Sequence, residues 1–321
     1  MVVRKLQKTS ANTYFVALPK DWIQEQQLYP SDELTIAQST RSNFLLVYPT
    51  NPLNPTQVRQ KIKESSNLSR DVLAAYLGGC DIIQVVPADG RSELEQAQFI
   101  RDQRQLLSGL EITRDLPTLV QLEFFFPLEQ LKPGQYLEKC FDMVIWMTRD
   151  FIKALDTNNP ILAESVASRD SEVNRTYFLL VRMLRTFVGD PTQRPPLSPT
   201  ECLDFRMVAA FAEEIGDKVT QLCSLFSENT WKQAPGNLQI RIKGLIGEIL
   251  KTTQELIKAF IRHDEKRAVE LKQDVQRQRN TLSKLQKAVS PLLEKGDLMR
   301  AIMDFNNRFL DILDDIVDLS P

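Results

Sequence analysis

The sequence predicts a mainly α protein: tandem three-helix bundles preceded by a small β domain of swapped hairpins and a small α+β module. Three observations lead there. From Tyr136 onward the apolar residues recur at helical spacing, the second half of that region echoes the first, and the chain before Pro49 is rich in short β-branched and aromatic runs. With 321 residues, 42% of them hydrophobic, the chain has enough apolar material for several cores. The expected boundaries are 1–49 for the β domain, 56–130 for the α+β module, 136–228 for the first bundle and 238–321 for the second.

In the β domain, Thr13-Tyr14-Phe15-Val16-Ala17-Leu18 reads as a strand, Pro19 ends it, and Lys20-Asp21-Trp22-Ile23 begins a short helix. Pro30-Ser31-Asp32 turns the chain into Glu33-Leu34-Thr35-Ile36, and Asn43 to Tyr48 forms a last strand. Four short strands and one short helix bury too little apolar surface to stand alone, so a strand-exchanged homodimer is expected.

Three prolines between Pro49 and Pro55 mark a linker. After it, residues 57–78 read as a helix ending at Gly78-Gly79, and Asp81 to Val86 reads as a buried strand. A polar helix is expected from Ser92 to Leu107, followed by strands near 110–113 and 118–126 around Pro117. No phosphate-cradling glycine motif occurs in this module.

The helical region divides into 137–155, 158–187 and 198–226, then a break at 229–237, then 238–262, 264–292 and 297–319. Its halves correspond. Asp150 to Leu155 matches Glu255 to Phe260 at an offset of 105, Asp170 aligns with Asp274 at 104, and Glu213/Asp217 aligns with Asp314/Asp318 at 101. Drift of only a few residues indicates two tandem units with minor gaps.

The acid pairs are the chemical signal. Carboxylates at i and i+4 on one helix stand about 5–6 Å apart at Cβ and repel each other, which calls for a compensating cation. Glu213 and Asp217 make one such pair and Asp314 and Asp318 the other. A solvated groove paired with nearby Arg and Lys accounts for the same pattern, and Arg206, two helical turns before Glu213, is placed to serve.

These tandem bundles resemble the PhoU family of phosphate-uptake regulators, through Phe205 to Asp217 in the first repeat and Asp314 to Asp318 in the second. The resemblance implies divalent metal (iron, zinc or magnesium) held by Glu213, Asp217, Asp314 and Asp318 with Asp170 and Asn174. Asn174 departs from the acidic residue of the family pattern, and Asp274-Val275-Gln276-Arg277-Gln278 in the second repeat retains one acid. The N-terminal segment resembles the AbrB/SpoVT swapped-hairpin domain through Val3 to Leu6, Tyr14 to Trp22, Leu28 to Ile36 and Phe44 to Tyr48. That second resemblance implies a homodimer and a DNA-binding face, carried here by Arg4 and Lys5 with Lys8 and Lys20 nearby. Residues 1–48 hold five Arg and Lys against four Asp and Glu, a thin basic footprint. The two resemblances together are similar to the archaeal type of phosphate-uptake regulator.

Composition excludes other classes. The formal net charge of −2 makes no global case for nucleic acid, and four scattered cysteines without a C-x-x-C suit a reducing cytoplasm better than a disulfide framework. Neither a signal peptide nor an apolar run of about 18 residues is expected. The single His263 lies in a polar run at a helix boundary, without a nucleophile motif around it, and Trp22, Trp146 and Trp231 read as packing residues. The absence of a catalytic motif argues against an enzyme, and the two resemblances imply a phosphate-responsive regulator whose bundles relay the state of a phosphate transporter or signalling protein and whose head binds an operator. The alternative is an adaptor that inhibits the transporter through protein contacts without binding DNA.

Overall fold

The computed structural model describes residues 3–38, 45–50, 59–63, 67–86, 106–189, 197–226, 230–290 and 297–320. Most of the expected linker at 49–55 and of the expected helix at 92–107 lies outside them. The chain divides into two compact units, Met1–Gln57 and Val58–Pro321.

In the first unit, β1 (Gln7–Lys8) and β2 (Tyr14–Phe15) pair antiparallel, as do β3 (Leu34–Gln38) and β4 (Leu45–Pro49). The short helix α1 (Lys20–Glu25) begins after Pro19, whose fixed φ suits a helix entrance. Among the described residues of this unit none is buried. Val3, Leu6, Tyr29, Ile36 and Leu45 are each more than 60% exposed, so the described residues of one copy form no core.

The second unit starts with a four-stranded sheet in the order β5-β6-β8-β7. Strand β5 (Arg59–Lys63) runs parallel to β6 (Ile82–Val86) across helix α2 (Leu68–Leu77), while β7 (Leu110–Leu116) and β8 (Leu119–Phe124) form a hairpin turned at Pro117-Thr118. The β5 strand corrects the helix expected over 57–78. Arg-Gln-Lys-Ile-Lys has weak strand propensity, but backbone pairing with β6 and burial of Ile62 override it. Gly78 and Gly79 end α2 as expected. Gly79 adopts φ +84°, and the Cys80 N–H donates to the Ala75 carbonyl while the Gly79 N–H donates to that of Tyr76.

A 3-10 turn at Leu128–Gln130 leads into the helices: α3 (Pro133–Thr157), α4 (Pro160–Ser168), α5 (Asp170–Gly189), α6 (Pro199–Ser224), the short α7 (Thr230–Gln233), α8 (Gly236–Arg262), α9 (Glu265–Val289) and α10 (Asp297–Asp318). The second helix of repeat one is thus two helices, broken at Arg169, whereas its counterpart α9 is continuous. Both repeats contribute to one hydrophobic core that runs from Leu128 to Val317.

The duplication extends to backbone detail. Helix α3 ends with Asn158 at φ 50° and α8 ends with His263 at φ 55°, both left-handed. In each, the next residue donates its N–H five residues back, Asn159 to Ala154 and Asp264 to Ala259. That same next residue then caps the following helix, Asn159 accepting from the Leu162 N–H and Asp264 from the Arg267 N–H. His263 accordingly terminates α8 and does not begin a helix. Its Nε2 lies 3.4 Å from Glu201 Oε1 at the start of α6.

The α+β module has its own core around Tyr76, Ile83, Leu107 and Leu122 and meets the bundle through Leu77, Phe124 and Phe178, which pack against both cores, and through Arg182 of α5. Arg182 is fully buried. Its guanidinium donates to the Tyr76 carbonyl at 2.7 Å and the Cys80 carbonyl at 2.9 Å, pairs with Asp81 at 3.1 Å, and lies 3.8 Å from the Phe124 ring centroid. The left-handed turn at Gly78-Gly79 presents those carbonyls. Replacing Arg182 with Ala strands them and leaves a void. We expect a loss of about 3 kcal/mol in urea unfolding, with hydrogen exchange accelerating in β6 and β8 before it does in α6.

Candidate functional site

The candidate site of repeat one lies where α5 packs on α6. Asp170 opens α5, where the helix dipole favours a carboxylate, and Asn174 follows one turn later. Glu213 and Asp217 sit a turn apart on α6. Gly216 lets the helices close on each other at this level. A Cβ there would lie 3.3 Å from Asp170 Oδ1, tighter than an ordinary contact.

The electrostatics of these four residues are coupled. Asn174 Nδ2 donates to Asp170 Oδ2 at 2.9 Å, while Asp170 Oδ1 and Asn174 Oδ1 are buried with no hydrogen-bond partner. Burial and the nearby Asp217 hold the Asp170 carboxyl above its ordinary range. Burial, Asp217 and Asp170 do the same to Glu213, with Arg206 pulling the other way. Arg206 itself lies over the Tyr177 ring, 5.1 Å from its centroid, and makes no ion pair with these acids among the described residues.

Repeat two is built differently. Buried Val208, Ala209, Ala212 and Ile215 of α6 correspond to buried Phe309, Leu310, Leu313 and Ile316 of α10, so Glu213 and Asp217 do match Asp314 and Asp318. On the second helix, buried Val173, Thr176 and Leu180 correspond to Val275, Gln278 and Leu282. This burial register places Lys272 opposite Asp170 and Arg279 opposite Tyr177. It corrects the alignment of Asp170 with Asp274, which had matched like charges instead of like faces. Asp274 pairs with Arg277 on its own helix. Arg279 takes both Asp311 at 2.7 Å and Asp314 at 2.5 Å, and Lys272 takes Asp318 at 2.7 Å. Val317 stands where repeat one has Gly216.

A divalent metal thus meets opposite environments in the two repeats. In repeat one, two orphaned acceptors and three carboxylates without an ion pair among the described residues suit a cation in charge, and Asp170, Asn174, Glu213 and Asp217 are the residues that would hold it. Such a cation would supply charge neutralisation. Even so, among the described residues no three His, Cys, Asp or Glu side chains are grouped to hold a metal ion. In repeat two the acids already have cationic partners and do not fit a metal.

A further pair joins the repeats. Arg308 of α10 donates to both carboxylate oxygens of Glu214 on α6, at 2.6 and 2.8 Å, and these hydrogen bonds hold the Glu214 carboxyl below its ordinary range. Of the other candidates, Arg4 and Lys5 precede β1, Lys8 lies in β1 with its ammonium 5.3 Å from the Tyr14 ring centroid, and Lys20 begins α1. All four are exposed. Trp231 is buried, Trp22 partly so, and Trp146, expected to pack, is 55% exposed beneath the Arg149 guanidinium.

Residues 137–226 match the PhoU domain family. The matched stretch contains all four candidate residues of repeat one and none of repeat two. Among solved structures, the chain is similar to the phosphate transport system regulatory protein PhoU from Streptococcus pneumoniae, at 16% identity over 58% of this chain and 90% of that one, with a TM-score of 0.48. It is also similar to PhoU from Pseudomonas aeruginosa, at 16% identity over 59% and 93%, with a TM-score of 0.42. No curated protein matches the chain.

Arg279, Lys272, Gly216 and the Glu214–Arg308 pair escaped the motif reading. A helical glycine beside an acid pair and two cations seven residues apart on one helix were the available signals. The raised Glu213 carboxyl has a measurable consequence. Its native form binds a proton more tightly than the unfolded chain does, so native stability falls as pH rises from the ordinary carboxylate range through the raised value. Glu213→Gln is therefore expected to be more stable than the parent at pH 7 in urea unfolding, with the difference shrinking below about pH 4.3.

Proposed function

We propose that this chain regulates phosphate transport, with the α5–α6 acid cluster of repeat one as the responsive element and a phosphate transporter or its signalling partner as the target. The observation that carries this reading is the PhoU-domain match over the stretch that holds the cluster. The uncompensated acids and their orphaned acceptors support it, because a group of like charges held together at a helix contact responds to whatever neutralises it. Among the described residues no helix is long and apolar enough to cross a membrane. The role is one of regulation and not of catalysis. A host lacking the chain is expected to show altered uptake of labelled phosphate, restored by the parent gene and only partly by Asp170→Asn with Asp217→Asn. Uptake unchanged under both starvation and plenty would sink the proposal.

The β unit serves, on this reading, as the oligomerising and DNA-contacting head. Support comes from its exposed apolar residues, which a second copy would cover, and from the exposed Arg4, Lys5, Lys8 and Lys20. Each phosphate-contacting cation should add about one unit to the salt slope of binding. Titrating promoter DNA of the host's phosphate-transport genes with full-length protein at several salt concentrations is expected to show steep salt dependence, weakened by Arg4→Ala with Lys5→Ala. Absence of binding at low salt would leave the adaptor reading, in which the protein acts on its transporter through protein contacts alone.

A further inference from the structure

The acid pair on α10 duplicates the one on α6, yet the helix facing it has changed sign. Where repeat one opposes Asp217 with Asp170, repeat two opposes Asp318 with Lys272, and where repeat one has Tyr177, repeat two has Arg279 bridging Asp311 and Asp314. We infer that repeat two is locked by the chain's own cations: Lys272 and Arg279 stand where a bound cation would otherwise be needed, and the second acid row takes no divalent metal.

The geometry carries this in three ways. One guanidinium reaches two carboxylates a single turn apart, a fork that a spherical ion would have to displace. Asn307 Nδ2 donates to the second Asp311 oxygen at 3.4 Å, so that carboxylate is held on both sides. Val317 stands as a buried, branched side chain in place of Gly216, the glycine at which repeat one brings Asp170 within close reach of α6. Repeat one, by contrast, has buried acceptors without partners. The two halves of one duplication are therefore unlike in their response to cations. In repeat two the acids are already neutralised by the chain's own cations, and a change that depends on an added divalent cation is confined to repeat one.

The test uses full-length protein with manganese as the probe. Asp314→Asn with Asp318→Asn is expected to leave the amount of bound manganese unchanged and to lower the melting temperature by about 2–4 °C at low ionic strength. That gap should close in about 1 M salt, where the screening length is about 3 Å. Loss of bound manganese in this variant, or no change in melting temperature at low salt, overturns the lock. The reverse variant, Lys272→Gln with Arg279→Gln, is read in a background of Asp170→Asn, Glu213→Gln and Asp217→Asn, which removes the three carboxylates of repeat one. Manganese should now raise the melting temperature, and adding Asp314→Asn should abolish that rise. Failure of manganese to act there counts against the lock as well. Whether repeat one binds a cation is read separately, from the background variant against the parent.

Discussion

The helical body depends on a guanidinium that has no access to water. Arg182 emerges from α5 among apolar neighbours, and the cost of burying its charge is offset only because two backbone carbonyls, the Asp81 carboxylate and the Phe124 ring converge on it. Those carbonyls point inward because α2 ends in a left-handed glycine turn, and Phe124 is in place because β8 pairs with both β6 and β7. The sheet, the helix end and the bundle are therefore interdependent. Leu77, Phe124 and Phe178 touch both hydrophobic clusters and seal the surroundings of the charge from solvent.

With α5 held in this way, its N-terminal end sets the geometry of the acid cluster. Asp170 and Arg182 lie on the same helix, three turns apart, so the pin and the cluster belong to one rigid element. The break at Arg169 matters here. Arg169 reaches Asp150 at 2.6 Å and lets α5 begin with Asp170 at its first position, where its carboxylate faces α6 across Gly216. Repeat two reaches a comparable tie differently, with Arg267 pairing with Glu255 from an unbroken α9. The Glu214–Arg308 fork then joins α6 to α10, so the repeats share a polar tie as well as a core.

Duplication and divergence can be followed residue by residue. Backbone features are preserved best: the left-handed termini at Asn158 and His263, the caps at Asn159 and Asp264, and the buried hydroxyls of Thr148 and Thr253, each bonded to the carbonyl four residues back. These satisfy main-chain or buried polar groups that the fold cannot leave unpaired. Surface-facing charges have drifted, because an exposed ion pair contributes little and its loss is tolerated. The sign change from half-buried Asp170 to exposed Lys272 goes further and reverses the charge that faces the acid pair.

The sequence alone determined that the body is helical, that it is duplicated, and where most helices begin and end. Periodicity, prolines and caps are local signals, and long amphipathic helices express them strongly. It also located Glu213, Asp217, Asp314 and Asp318, since i,i+4 neighbours on a helix are fixed by the helix itself. Only the tertiary structure decided that β5 is a strand, that one second helix is broken and the other continuous, and that Lys272 faces the acids that Asp274 was expected to accompany. Each of these depends on partners distant in the chain: the β6 ladder, the Asp150–Arg169 contact and the buried register of α9. A two-residue shift of alignment changes which side of a helix meets its neighbour, and charge similarity between two segments cannot reveal that shift. Burial does.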